Sequence, residues 1–171
     1  MHKLRDAPGK AEEDLRRRIE DLAGDGRIYV LGLGNTDRGD DGAGILVALE
    51  LKKLFPSFSY SEHDGVEGTV LDLSEKKEDS TVFFVDAADL GMDPGSVMIV
   101  PKREIRETEI TTHRVAVALM ASLLEKAGKR SAVICIQPKT IEFRAPVTRP
   151  IKASIKTVVE ALIGPMARAD G

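Results

Sequence analysis

Five acidic residues and a histidine sit where they could do chemistry: Asp37, Asp40 and Asp41 in the stretch LGLGNTDRGDDGAG at residues 31–44, then Asp64 in EHDGVEG, Asp86 at the end of TVFFVDA, and His113 in TTHRVAVAL. Carboxylates and imidazole donate oxygen and nitrogen, so a few of them brought together from separate loops suit a divalent cation. Any one could also serve as a general base.

The first stretch resembles a phosphate-binding turn, because Gly32 and Gly34 follow an apolar run. The dinucleotide fingerprint requires a third glycine, for close helix packing, and bare amides facing a pyrophosphate. Here Gly34 and Asn35 are followed by Thr36 and Asp37, and three carboxylates would repel a phosphate at that point. The glycines therefore serve the turn itself. They let the backbone reverse tightly and bring Asp40 and Asp41 to a helix entrance.

Each residue also has an ordinary structural role. Aspartate before a helix is often an N-cap, but two adjacent aspartates cannot cap one helix in the same way, so one of Asp40 and Asp41 is left for other work. Asp64 with Gly65 reads as an Asp-Gly turn. Asp86 closes an apolar strand, where a charge is costly unless paired, capping or functional. Of the three histidines, His2 lies near the start of the chain, which leaves His63 and His113 as candidates.

Other chemistries lack a centre. There is no G-x-S-x-G elbow and no H-E-x-x-H helix, and the single cysteine, Cys135 in AVICIQ, falls inside a strand pattern rather than at its end. What remains is an open cation site of two or three carboxylates and one histidine, too sparse to close a coordination shell by itself.

The elements that must position these residues alternate. Strand patterns RIYVLGL, FSYSEHD, STVFFVDA, SVMIV and SAVICIQ are interleaved with helical patterns DGAGILVALELKKL, EGTVLDLSEK, TTHRVAVALMASLLEKAG and RPIKASIKTVVEALIGPMAR. Such alternation predicts an α/β fold, a mostly parallel sheet of about five strands with helices on both faces. SVMIV is expected to be a short edge strand, reached by a reversal at Pro94 and Gly95. Sites in this fold form beyond the carboxyl ends of the strands, which is where every candidate lies. Residues 1–26 read as a charged extension with an accessory helix from about Ala11 to Leu22, its Leu15, Ile19 and Leu22 on one face, and residues 27–171 as the main domain.

Composition bounds the partners. Of 171 residues, 42% are hydrophobic and 31% charged, a globular balance, and the net charge of -3 gives no basic surface for nucleic acid or an anionic membrane. No apolar run nears the roughly 20 residues that cross a bilayer, the first residues lack a signal-peptide core, and one cysteine fits a reduced, cytoplasmic protein.

Five segments carry a resemblance. VLGLGNTDRGDDGAG, DGVEGT, VFFVDAADLGMDPGSVMIV, TTHRVAVALM and IQPKTIEFRAPVTRPIK, in this order and spacing, resemble the NiFe hydrogenase maturation endopeptidases (peptidase family M52), above all the type that acts on the hydrogenase-3 large subunit of formate hydrogenlyase. The similarity spans about residues 27 to 165. It implies a single three-layer α/β/α sandwich and an enzyme that removes a C-terminal extension from the large-subunit precursor after nickel insertion. By motif, the residues that meet nickel fall on Asp41, Asp86 and His113, with Asp41 or His113 as the base.

The nickel is implied to arrive with the substrate, and zinc or cadmium to be able to occupy the same site in vitro. Gly34, Asn35, Asp40, Asp64 and Gly65 are expected to shape the loops or touch substrate, and the protein to act as a monomer. The N-terminal extension departs from the family pattern. The rival reading is a non-enzymatic α/β module that binds a metal ion or a nucleotide, which would show saturable binding without turnover.

Overall fold

The structure, a computed structural model, describes residues 8–105 and 114–171. Five strands form one sheet: β1 (Arg27–Gly32), β2 (Ser59–Ser61), β3 (Ser80–Ala87), β4 (Val97–Pro101) and β5 (Arg130–Ile136), in the spatial order β2-β1-β3-β5-β4. Neighbours pair in parallel, except that β4 runs antiparallel to β5 at the edge. Among the described residues six helices accompany them: α1 (Pro8–Ala23), α2 (Ala43–Lys52), α3 (Val66–Glu75), the short α4 (Lys102–Ile105), α5 (Arg114–Lys126) and α6 (Arg149–Asp170).

The strands bury both faces, and their alternation sorts the core into two clusters. Ile28, Val30, Phe83, Val85, Ala132, Ile134 and Ile136 face α1, α2 and α6. Tyr29, Leu31, Val82, Phe84, Val133 and Cys135 face α3 and α5. Period-2 alternation with apolar residues on both sides is what a strand covered by two helical layers requires. The result is the three-layer α/β/α sandwich, with the strand SVMIV short and at the edge as expected.

The N-terminal helix is longer than its sequence pattern and belongs to the core. Leu15, Ile19 and Ala23 are buried in the cluster that contains Val158, Leu162 and Met166 of α6. Glu20 pairs with Arg168 of α6, and Arg130 of β5 donates from Nη2 to the carbonyl of Ala23 at 2.8 Å. At the far end of α6, Asp170 meets Arg27 at the start of β1, 3.2 Å away.

Two patterns resolve differently from expectation. The second strand pattern FSYSEHD yields strand only at Ser59–Ser61, because Glu62–Asp64 close a single 3-10 turn in which Asp64 and Ser61 form a capping box. The first helix pattern splits, with Gly39–Gly42 forming its own 3-10 turn before α2. No helix among the described residues is long and apolar enough to cross a membrane.

Candidate active site

The carboxyl ends of β1 and β3 lie side by side, with Gly32 paired to Val85. Leu33 extends that ladder by donating its N–H to the carbonyl of Val85 at 2.8 Å. The chain then turns at Gly34, whose φ of 131° is a conformation L side chains rarely adopt. Asn35 closes the loop: its N–H donates to the carbonyl of Asp41 (3.2 Å), its carbonyl accepts from Arg38 N–H (3.2 Å), and its side-chain Oδ1 accepts from Asp37 N–H (2.9 Å). Asp37 itself is exposed.

Helix α2 then begins hard against the sheet. A Cβ on Gly44 would lie 2.1 Å from the carbonyl oxygen of Val85 and 2.4 Å from that of Leu33, so only glycine permits this approach. It holds the turn carrying Asp40 and Asp41 against β3.

The two adjacent aspartates divide their work. The N-cap position of α2 is Gly42, so the capping role falls to neither. Asp40 is fully buried, and its carboxylate faces the loop after β5. Oδ2 accepts from Lys139 N–H (2.8 Å), Thr140 N–H (3.1 Å) and the Thr148 hydroxyl (2.9 Å), while Oδ1 accepts from Thr148 N–H (2.7 Å). Asp41 is half-buried two residues ahead of α2, where the helix's unsatisfied N–H groups favour a negative charge.

Asp86 is the last residue but one of β3 and is completely buried. Alternation after Val82 and Phe84 puts its side chain on the face covered by α3 and α5. It pairs across the sheet with Cys135. Burial pushes the Cys135 thiol up to about 12, and the nearby negative charge of Asp86 adds to the effect. That thiol stays protonated at neutral pH and is no nucleophile.

The second loop is engaged locally. Asp64 accepts from Ser61 N–H at 2.9 Å and pairs with Lys52 Nζ at 2.6 Å. The Lys52 hydrogen bond, followed by that from Ser61, holds its carboxyl below the usual carboxylate range. Gly65 follows in the left-handed conformation, φ 78° and ψ 83°, joining this turn to α3. His63 is exposed on the same turn.

His113 lies outside the described residues; of the expected trio of Asp41, Asp86 and His113, Asp86 lies at the carboxyl end of β3 and Asp41 in the 3-10 turn that follows the neighbouring β1. Among the described residues, no group of three His, Cys, Asp or Glu side chains could hold a metal ion.

Three residues that the sequence did not single out also shape this end of the sheet. Glu62 accepts from Gly34 N–H at 3.3 Å and, with Leu33, Val66, Ala116 and Met120, lines a cavity of about 180 Å³ between the first loop, α3 and α5. Gln137, just past β5, accepts through Oε1 from Leu90 N–H at 2.6 Å and so holds the loop after β3. Thr148 anchors the start of α6 to Asp40. Gln137 alone had a signal, since like Asp86 it is a polar residue ending an apolar strand.

A larger cleft of about 740 Å³ lies at the opposite, amino end of the strands, lined by Arg18, Thr81, Lys102, Lys129, Arg130 and others. Its cations are engaged: Lys102 pairs with Glu125, Lys129 bonds the carbonyls of Lys76 and Glu78, and Arg130 pairs with Asp79. It is remote from Asp41 and Asp86, and parallel sheets of this kind carry their sites at the other end.

Known proteins are similar to this chain in sequence and fold. The family model for hydrogenase maturation protease matches residues 67–164. The hydrogenase 3 maturation protease of Escherichia coli K12 is 32% identical over 138 residues, which cover 79% of this chain and 88% of that protein. The crystal structure of a NiFe hydrogenase maturation protease from Thermococcus kodakarensis superposes with a TM-score of 0.72 at 26% identity, covering 90% of this chain and 99% of that one. The solution structure of an endopeptidase from Escherichia coli gives a TM-score of 0.64 at 27% identity, covering 81% and 90%. The chain therefore belongs to the hydrogenase maturation proteases and is a peptide-bond hydrolase rather than a non-enzymatic binding module.

Proposed function

We propose that this endopeptidase removes the C-terminal extension of a NiFe hydrogenase large-subunit precursor once nickel has been inserted, and that it recognises the nickel in its substrate. The observation that supports the reading is that Asp86 lies wholly buried at the carboxyl end of β3 while Asp41 lies half-buried in the turn that follows β1, the strand paired in parallel beside it. Carboxylates so placed are oxygen donors for a divalent cation held at the mouth of the sheet. His113 immediately precedes α5 in sequence and supplies the imidazole in this proposal.

Nickel is part of the substrate here. Bound to the precursor, it seats on Asp41, Asp86 and His113, fixes the scissile peptide beside them and reports that the precursor is loaded. Asp41 or His113 takes the proton from the attacking water. Imidazole and carboxylate ligands do not separate nickel from other divalent ions, so zinc or cadmium added in vitro occupies the same position. The protease acts as a monomer in the cytoplasm.

The test compares nickel-loaded with nickel-free precursor, scored by the mass of the released extension. Cleavage is expected only of the loaded form. Asp41→Ala, Asp86→Ala and His113→Ala should each abolish it, while Asp37→Ala, at an exposed position, should process at close to the wild-type rate. Efficient cutting of the nickel-free precursor by His113→Ala would remove nickel recognition from the mechanism.

A further inference from the structure

The buried Asp40 carboxylate accepts four hydrogen bonds, and every one comes from a segment about 100 residues further along the chain: Lys139, Thr140 and, twice, Thr148. Two main-chain bonds join the same pair of loops, from Asp40 N–H to the carbonyl of Thr140 (3.0 Å) and from Arg144 N–H to the carbonyl of Asp37 (2.7 Å). Arg144 is held at φ 61°, the left-handed region, and no other non-glycine among the described residues has a positive φ. Strain of that kind persists only where the surroundings over-determine the backbone.

A carboxylate removed from water needs its acceptors filled, and this one has them filled from one side only. An N-cap or a surface turn would be satisfied within a few residues. What Asp40 secures instead is the position of one loop against another. The loop it secures has no regular secondary structure from Gln137 to Thr148, yet it exposes Ile141 (43%) and Phe143 (65%) to solvent. The residue next to Asp40 is Asp41.

The geometry points to Asp40 as a positioning residue for peptide cleavage: through its four hydrogen bonds it fixes the loop after β5 in register with the Asp41 turn, so that the substrate chain is presented to Asp41 in one orientation. This rests on the reading above in which the Asp41 turn is catalytic. Asp40 touches no substrate. Its effect runs through the peptide amides of residues 139, 140 and 148, and it belongs in kcat, because a misplaced turn still binds the precursor but seldom holds it in the reactive pose.

The test uses Asp40→Asn, which keeps the shape but sets an NH2 against amide donors, and Thr148→Val, which removes only the hydroxyl donor. Both are assayed with nickel-loaded precursor well below the melting temperature of each variant, alongside hydrogen exchange of residues 137–148. Asp40→Asn is expected to melt cooperatively, to exchange faster in that segment, and to lose tenfold or more in kcat with KM within about twofold, with a smaller kcat loss in Thr148→Val. A folded Asp40→Asn with accelerated exchange but wild-type kcat would overturn the inference and leave the clamp as architecture. If Asp40→Asn does not fold, Thr148→Val decides in the same way: faster exchange with reduced kcat supports positioning, and faster exchange with unchanged kcat refutes it. Failure of the wild-type chain to cut the precursor would instead sink the functional reading, an outcome that the wild-type control keeps separate.

Discussion

The carbonyl oxygen of Asp41 occupies the space that a side chain on Gly34 would need, standing 1.9 Å from where its Cβ would be. The contact is backbone, so no rotamer can relieve it. Gly34→Ala should combine a strained positive φ with this overlap and cost on the order of 1–3 kcal/mol or more of stability. The shift in urea midpoint measures it. A midpoint equal to that of the wild type would mean that the first loop relaxes freely and does not fix Asp41.

The N-terminal helix should matter to folding as much as any core element. Ile19 is 0% exposed and packs in the cluster that includes α6. Ile19→Ala is expected to destabilise by about 2–5 kcal/mol, the range for emptying a packed apolar site. An effect below 0.5 kcal/mol, the scale of ordinary surface changes, would make α1 a peripheral decoration.

Asp64 predicts an acid-side signature. Its carboxyl is lowered by the Lys52 hydrogen bond and then by Ser61 N–H. A depressed folded-state value stabilises the fold above the unfolded pKa of about 3.9, and that stabilisation is lost as pH falls through the folded value. Asp64→Asn keeps an acceptor for Ser61 but loses the charge, so the gap from wild type should be within about 1 kcal/mol at pH 7. It should close as pH is lowered below about 4. A gap that widens in acid would show that the Lys52 pair contributes nothing.

Tyr29 predicts the alkaline counterpart. Burial, followed by its hydrogen bond to Glu78, raises its phenol above the ordinary value. The folded state then keeps its proton at a pH where the unfolded chain has lost it. The stability this contributes is complete below the unfolded value of about 10 and fades as pH rises through the folded one. Tyr29→Phe leaves Glu78 paired with Arg27 at 3.1 Å. Melting temperatures of wild type and Tyr29→Phe should differ most at pH 8 and converge above pH 10, and divergence there would contradict the assignment.

What the sequence made legible follows from the range of the forces involved. β1, β3 and β5 could be read because two-sided burial leaves an unbroken apolar run, and Asp86 stood out because a charge ends such a run. Asp40 and Asp41 could be separated from a phosphate loop by their charge, yet the division of labour between them could not, since the partners of Asp40 lie 99 to 108 residues away. The shortened β2 was hidden for the opposite reason: Ser61 and Asp64 satisfy each other within three residues, and such local bonds override a strand pattern. The leucine and isoleucine stripe of α1 announced a helix without naming α6 as its partner.

Because α6 ends beside Arg27, at the amino end of β1, its last residue leaves the molecule at the pole opposite Asp41 and Asp86. An affinity handle or a surface tether fused beyond α6 would therefore point the face that carries Asp41 and Asp86 outward. Immobilised in that orientation, the protein presents the proposed site without competing for space with its own support.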